Sequence, residues 1–402
     1  MTDTTITYGD ARSYRLSNID MLRGLVIIIM AIDHARDFFY VGGVSDPMEQ
    51  PEISLGIYLT RWITHFCAPV FVFLAGTSVG LMAQRKSKKE LGFFVFSRGL
   101  WLLLVEFFII SNAYSFAPFG EPEFGGLIQV HLEVFWAIGL SMIVLSGAQF
   151  LGTRFCFIVG LMILFGHNML DNVWPQQSVF EPYAQFWHII HQQGQTPFGP
   201  FILLGGYPVL PWIGVMLLGH GTASIFQKSA SERDPFLKKT GITIIILFIV
   251  IRFFDAYGDP NPWQLQDAGL LATIFDFMNV SKYPPSLSYL LATIGPMTII
   301  CAHADRWNNW LKDTLVMFGR VPFAFYVTHL ILLHILSIVV GVMQGYELNQ
   351  FMHIYAFYPE GYGINLLGVY GIWAMVLIIL YPFCRWLARI KQTHNEWWLS
   401  YF

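Results

Sequence analysis

The sequence is short of charge. Of its 402 residues only 12% are Asp, Glu, Lys or Arg, about half the share of a soluble globular domain. So few charges cannot cover a water-facing surface, which argues against a soluble enzyme. The formal net charge of −3 provides no basic excess for a nucleic acid, so no such partner is expected. Cysteine is scarce too. Cys67, Cys156, Cys301 and Cys384 lie inside or at the ends of apolar runs. They show no CxxC spacing and no loop clustering, so buried thiols are expected rather than disulfides or a zinc site, and no metal is assigned. No repeat, low-complexity segment or domain-sized linker interrupts the chain. The first 18 residues, MTDTTITYGDARSYRLSN, lack an apolar centre ahead of a small-residue cleavage site. No cleavable signal is read there, and the first apolar run is expected to act as its own insertion signal.

What fills the chain instead is apolar surface: 55% hydrophobic residues and 17% aromatic ones. The apolar residues fall in runs of about 20, the length that crosses a hydrocarbon core of about 30 Å. The runs predict helices near 19–41, 55–83, 91–117, 125–147, 153–172, 202–226, 237–254, 284–303, 313–343 and 364–388. Alternate connections are basic, among them Arg85, Lys86, Lys88 and Lys89 in one and Lys228, Arg233, Lys238 and Lys239 in another. The stretches 173–201 and 344–363 contain no Lys or Arg. This positive-inside pattern supports an even number of spans with both termini in the cytoplasm. The expected fold class is therefore all-α: a polytopic bundle of about ten transmembrane helices. Residues 1–18 would form a cytoplasmic tail, 19–390 the membrane domain and 391–402 a second cytoplasmic tail. The long aromatic outer loops fit either an interfacial belt or a site for a carbohydrate-sized or amphiphilic substrate.

Ionisable residues within apolar runs are functional candidates, because charge at the bilayer centre is costly. The first run, IDMLRGLVIIIMAIDHARDFFY, carries the most informative set. Eleven helical steps from Arg23 to His34 return to within about 20° of the same face, some 16 Å farther along the axis. Asp20 lies one turn before Arg23, in position to pair with it. Asp33 adjoins His34 in sequence but points about 100° away. In the second run, His65 follows Arg61 by four residues, and Pro69 is expected to kink the helix just beyond. Gly76, Thr77 and Ser78 there permit close approach of a helix or a ligand. For His65, packing and function are evenly matched. In GGLIQVHLEVFWAIGLSM, Gln129 and Glu133 are expected to share a helix face, more as a structural hydrogen-bonding pair than as catalysts. His329 lies nearer the middle of its run than His334. His188 and His191 have a metal-compatible spacing, but nothing nearby completes a ligand set.

Several segments resemble a known family. IDMLRGLVIIIMAIDH is similar to the opening helix of the transmembrane acyltransferase superfamily, in which an arginine and a histidine recur with ten residues between them. CAPVFVFLAGTS resembles a segment of heparan-alpha-glucosaminide N-acetyltransferases, and PWIGVMLLGHG, KYPPSLSYLLATIGP and GRVPFAFYVTH follow in the same order. The closing WWLSYF resembles the bacterial branch, which implies a bacterial cytoplasmic (inner) membrane. The resemblance implies transfer of an acyl group from cytoplasmic acetyl-CoA, or another acyl-CoA, to a hydroxyl or amine on the outer face, a glycan being one such acceptor. The site it implies has His34, His65 and Asp33 as catalytic candidates. Arg23, Thr77, Ser78, Arg98, Trp212 and Arg320 are candidates for the donor, and Asp20, Gln129, Glu133 and His329 for structural or orienting roles. The sequence departs from the lysosomal enzyme. The position matched by His34 holds asparagine there, that enzyme's catalytic histidine falls near Ser45 here, and His65 replaces an aspartate. Glucosamine specificity does not carry over. Direct transfer and an acyl-histidine intermediate both fit, and a transporter or flippase is the leading alternative. The partners expected are the bilayer, the donor, the acceptor and, as a further candidate, a second copy of the chain.

Overall fold

The computed structural model describes residues 8–42, 54–171, 173, 182–307, 309–394 and 396–401. Helix α1 (Tyr8–Phe39) is followed by α2 (Leu55–Thr64), α3 (Cys67–Met82) and α4 (Lys88–Val105), which runs through a π-helical turn (Glu106–Ile110) into α5 (Ser111–Ser115). Strand β1 (Ile128–His131) leads to α6 (Val134–Ala148), α7 (Thr153–Gly166) and α8 (Pro182–Ile190). Strands β2 (Gly194–Phe198) and β3 (Phe201–Gly205) precede α9 (Val209–Thr222), α10 (Ala230–Phe254) and α11 (Leu270–Met278). The chain closes with α12 (Leu287–His303), α13 (Trp310–Arg320), α14 (Pro322–Met343) and α15 (Leu366–Thr393). Several starts are fixed by side chains that accept an otherwise unpaired backbone N–H: Ser54, Ser87, Ser286, Asn309 and Asn365.

Among the described residues, seven helical segments are long and apolar enough to cross a membrane: Leu55–Met82, Lys88–Ser115, Val134–Leu151, Thr153–Leu170, Val209–Gln227, Pro322–Met343 and Leu366–Thr393. The expected spans at 19–41, 237–254 and 284–303 are also helical, but length and composition alone do not establish them. The first carries Asp20, Arg23, Asp33, Arg36 and Asp37, the second Lys238, Lys239 and Arg252, and the third forms a helix of 17 residues. Large side chains such as Phe93, Phe108 and Ile378 stand 75%, 69% and 72% exposed, as a lipid-facing surface requires.

Four expected helices are broken or open as strand, each for a local reason. Run 55–83 breaks at His65 and Phe66, because Pro69 has no N–H for the carbonyl four residues earlier, which is that of His65. The Tyr289 hydroxyl donates to that carbonyl instead, at 2.8 Å. Run 313–343 breaks at Val321, ahead of Pro322 at the first position of α14. Runs 125–147 and 202–226 both open as strand. Residues 128–131 pair in parallel with 201–204, and β2 joins β3 on its other side in antiparallel register, giving the order β1-β3-β2. The fold is mostly helical, as expected, and this small sheet is an addition to it.

Helix α1 occupies the centre, packed against α2, α3, α12, α13, α14 and α15. Its closest neighbour is α13. A Cβ built on Gly24 would lie 1.8 Å from the Leu315 carbonyl oxygen, and one on Gly319 at the same distance from that of Asp20. Glycine at both positions lets the two backbones touch. At the far end, the Phe39 carbonyl accepts the Ile364 N–H and Val41 returns a bond to the Ile364 carbonyl. The axis of α1 thus runs from a basic end, near Asp20, to a sheet end, near Tyr40.

Candidate active site

At the basic end, Arg23 donates to Asp20 at 2.8 Å, to the Gly319 carbonyl at 3.1 Å and to the Ser78 hydroxyl at 3.1 Å. The glycine contact between α1 and α13 therefore also places the guanidinium. A cavity of about 390 Å³ opens beside it. Arg23, Arg98, Arg320 and Lys391 line this cavity, and its deeper wall is apolar, with Ile27, Phe71, Leu102 and Phe135. Asp20 pairs with Arg23 and lies 3.8 Å from Arg320. Arg98 differs from its neighbours. Its guanidinium lies over the rings of Phe94 and Tyr401, at 5.6 and 5.8 Å, and has no hydrogen bond or carboxylate partner among the described residues.

A second cavity, of about 260 Å³, lies toward the sheet end and is lined by polar and ionisable side chains, His34 among them. The two cavities share Met30, Phe71, Val134 and Tyr326 as lining residues, so they adjoin partway along α1. His34 Nδ1 lies 2.8 Å from His329 Nε2. His329 is fully buried, and its Nδ1 lies 3.0 Å from the Phe325 carbonyl of its own helix. A carbonyl only accepts, so His329 Nδ1 carries the proton and, in a neutral ring, Nε2 offers a lone pair. His34 must then donate from Nδ1. Its Nε2 is left as a lone pair with no hydrogen-bond partner among the described residues. The edges of Tyr114 and Tyr326 enclose the ring, at 6.4 and 5.9 Å.

Asp33 does not orient His34. Its carboxylate gathers three cations: Arg36 at 2.8 Å, Lys282 at 3.2 Å and Arg61 at 3.4 Å. Arg36 also pairs with Asp37 at 2.6 Å. This cluster forms one wall of the polar cavity, with Glu133, Tyr207 and Tyr355 among the other lining residues. Burial raises the Tyr207 and Tyr355 phenols well above their ordinary value, which keeps both hydroxyls protonated as donors.

Of the residues expected from the sequence, the basic cavity is lined by Arg23, Ser78, Arg98 and Arg320, and the polar cavity by Asp33, His34 and Glu133. His329 reaches the site through His34. Others lie elsewhere. His65 bonds through Nδ1 to the Arg61 carbonyl and packs on Tyr289, away from the His34 ring. Thr77 is buried against α9, donating to the carbonyls of Phe73 and Gly219. Trp212 is wholly buried beside Tyr207 and lines neither cavity. Gln129 and Glu133 share no helix face. Gln129 lies in β1 between Glu121 and His131, whereas Glu133 precedes α6 and donates its backbone N–H to Glu106. His191 pairs with Asp171 at 2.8 Å. The stretch near Ser45 lies outside the described residues.

Sequence reasoning missed Arg36, Asp37, Lys282, Lys391 and the ring of tyrosines. Lys282 had a signal, since it is a lysine in a connection expected to be nearly free of basic residues.

The family model described as heparan-alpha-glucosaminide N-acetyltransferase, catalytic, matches residues 15–252. That stretch runs from α1 to α10 and contains His34 and Arg98, while Lys282, Arg320 and His329 lie beyond it. No curated protein matches the chain.

Proposed function

Because the chain belongs to the heparan-alpha-glucosaminide N-acetyltransferase catalytic family, we propose that it is an integral membrane acyltransferase that uses a cytoplasmic acyl-CoA and acylates a hydroxyl or amine on the outer face. One observation carries this reading: a cavity lined by four cations adjoins a polar cavity through Tyr326, and His34, whose Nε2 has no hydrogen-bond partner among the described residues, lines the polar cavity against that tyrosine. The cations suit the donor's phosphates, and the apolar wall beyond them suits its extended arm. On this reading the basic end faces the cytoplasm, ten helices span a bacterial inner membrane, and both termini lie inside.

The chemistry follows from the tautomer. The acceptor's oxygen or nitrogen attacks the thioester carbonyl while His34 Nε2 takes its proton. The positive ring is stabilised through Nδ1–H by His329. Collapse of the tetrahedral intermediate breaks the C–S bond, and the proton passes from His34 to the departing thiolate, giving acylated acceptor and free CoA. Tyr326 lines both cavities, and its hydroxyl is the candidate donor to the developing oxyanion. The Asp33 cluster forms a fixed polar wall for the acceptor. Buried charged groups also line transporter pathways; the family match is what favours an acyltransferase.

Acetyl-CoA tests the donor site. A ligand that binds only the folded state stabilises it by mass action, by about 2.7 kcal/mol at a hundred times its Kd. Acetyl-CoA should therefore raise the melting temperature of the detergent-purified protein, and Arg98→Gln should lose most of the rise. No rise for wild type at millimolar acetyl-CoA would remove the donor site from the account.

A further inference from the structure

The segment after α15 folds back onto α4 beside the basic cavity. Residues Trp397–Tyr401 form a short 3-10 turn, anchored by Leu399, which is 4% exposed. Tyr401 sits on one turn of α4. Its hydroxyl lies 3.0 Å from the Ser97 hydroxyl, its ring meets Trp101 edge to face at 6.1 Å, and the same ring lies over Arg98 at 5.8 Å. Trp397 stands edge-on against Tyr401 at 6.0 Å. Phe94 holds the guanidinium from its own helix, at 5.6 Å.

Arg98 therefore rests against two aromatic rings and, among the described residues, pairs with no carboxylate. An arginine on a long side chain loses much rotamer freedom when fixed, and a ring is an unusual means of fixing it where an acid would serve. The difference lies in what remains available. A carboxylate would neutralise the cation and occupy its N–H groups, whereas a ring attracts the charge through its face and leaves the planar fork of donors free. A free fork lining a cavity is suited to bidentate capture of a phosphate oxygen pair.

We propose that Tyr401 is a positioning residue of the donor site. By stacking on Arg98 it holds the guanidinium toward the cavity, with its N–H groups open to a phosphate of the donor. This rests on the donor reading given above. The contact also gives the closing WWLSYF a purpose: Leu399 anchors the turn, Tyr401 reaches Arg98, and Trp397 supports Tyr401. The phenol hydroxyl is secondary, since the ring alone carries the stacking.

The test is direct binding of CoA to the full-length protein in detergent, at matched monodisperse concentration, for wild type, Tyr401→Phe, Tyr401→Leu, Arg98→Gln and Arg98→Gln/Tyr401→Leu. Wild type and Tyr401→Phe should bind alike, and Tyr401→Leu should bind about tenfold more weakly, the scale of a lost desolvated ring–cation contact. With Arg98 already replaced, Tyr401→Leu should have little further effect, because residues that act through one another are not additive. Equal binding by wild type and Tyr401→Leu would overturn the inference, as would full additivity in the double variant, which marks a general structural defect. If wild type itself binds no CoA, the donor reading fails and this inference falls with it, a result distinct from the other two.

Discussion

At the residue scale, the proposed catalysis turns on which nitrogen of His34 carries a proton. His329 decides it: its own Nδ1–H is committed to a helix carbonyl, so it can only accept from His34. General-base catalysis is typically worth about 10²–10⁴ in rate. His34→Ala should therefore lower acyl transfer at least a hundredfold at matched folded protein while leaving CoA binding nearly intact. His329→Ala should cost about tenfold or more by freeing the tautomer, and His329→Gln should restore part of that, since an amide oxygen can accept the same N–H. His65→Ala should stay within a few-fold of wild type. Release of CoA thiol from acetyl-CoA measures all four. A His34→Ala enzyme retaining more than about a tenth of wild-type turnover would refute the assignment. How far these roles could be read beforehand follows from where each partner lies. Asp20, Arg23 and His34 share one helix, so spacing alone aligned them. The partner of His34 is 295 residues away and no spacing rule reaches it. His65 and Asp33 were adjacent in pattern but are occupied elsewhere, one by a carbonyl of its own helix and the other by three cations.

At the scale of elements, the site depends on how closely α1 and α13 approach. A Cβ at Gly319 would strike the Asp20 carbonyl, and overpacking in a tight interface typically costs about 1–3 kcal/mol. Gly319→Val should lower the melting temperature and weaken acetyl-CoA stabilisation together, because Arg23 bonds to the Gly319 carbonyl. Gly371→Ala, where nothing lies within 4 Å of the added atom, should do neither. A thermal melt of both variants with and without acetyl-CoA checks this, and a Gly319→Val protein with unchanged stability and response would contradict it. The helix breaks show a similar division between what could and could not be read. Pro69 announced a kink, and the break falls where its missing N–H leaves the His65 carbonyl free. The sheet was also signalled. Residues 128–131, IQVH, alternate apolar and polar, the period of a strand. Within a long apolar stretch that signal was read at helical period, and Gln129 and Glu133 were paired wrongly as a result. What the local sequence did not contain was the partner, β3, some seventy residues on, which makes the alternation count.

At the scale of the whole molecule, the proposed reaction is shared between two adjoining cavities. Arg23, Arg98, Arg320 and Lys391 line the cavity at one end of α1, the Asp33 cluster lines the other, and the proposal puts the first end in the cytoplasm. Sidedness of the donor tests this most directly. Acetyl-CoA does not cross a sealed bilayer, so wild type should be examined in sealed inside-out and sealed right-side-out membrane vesicles, with a panel of amino sugars and neutral glycans present on both sides. Externally added acetyl-CoA should release thiol in inside-out vesicles, where it meets the cytoplasmic face, and not in right-side-out vesicles until they are permeabilised. Vesicles carrying His34→Ala should release none in either orientation. Turnover by sealed right-side-out vesicles, or equal turnover by wild type and His34→Ala, would contradict the account.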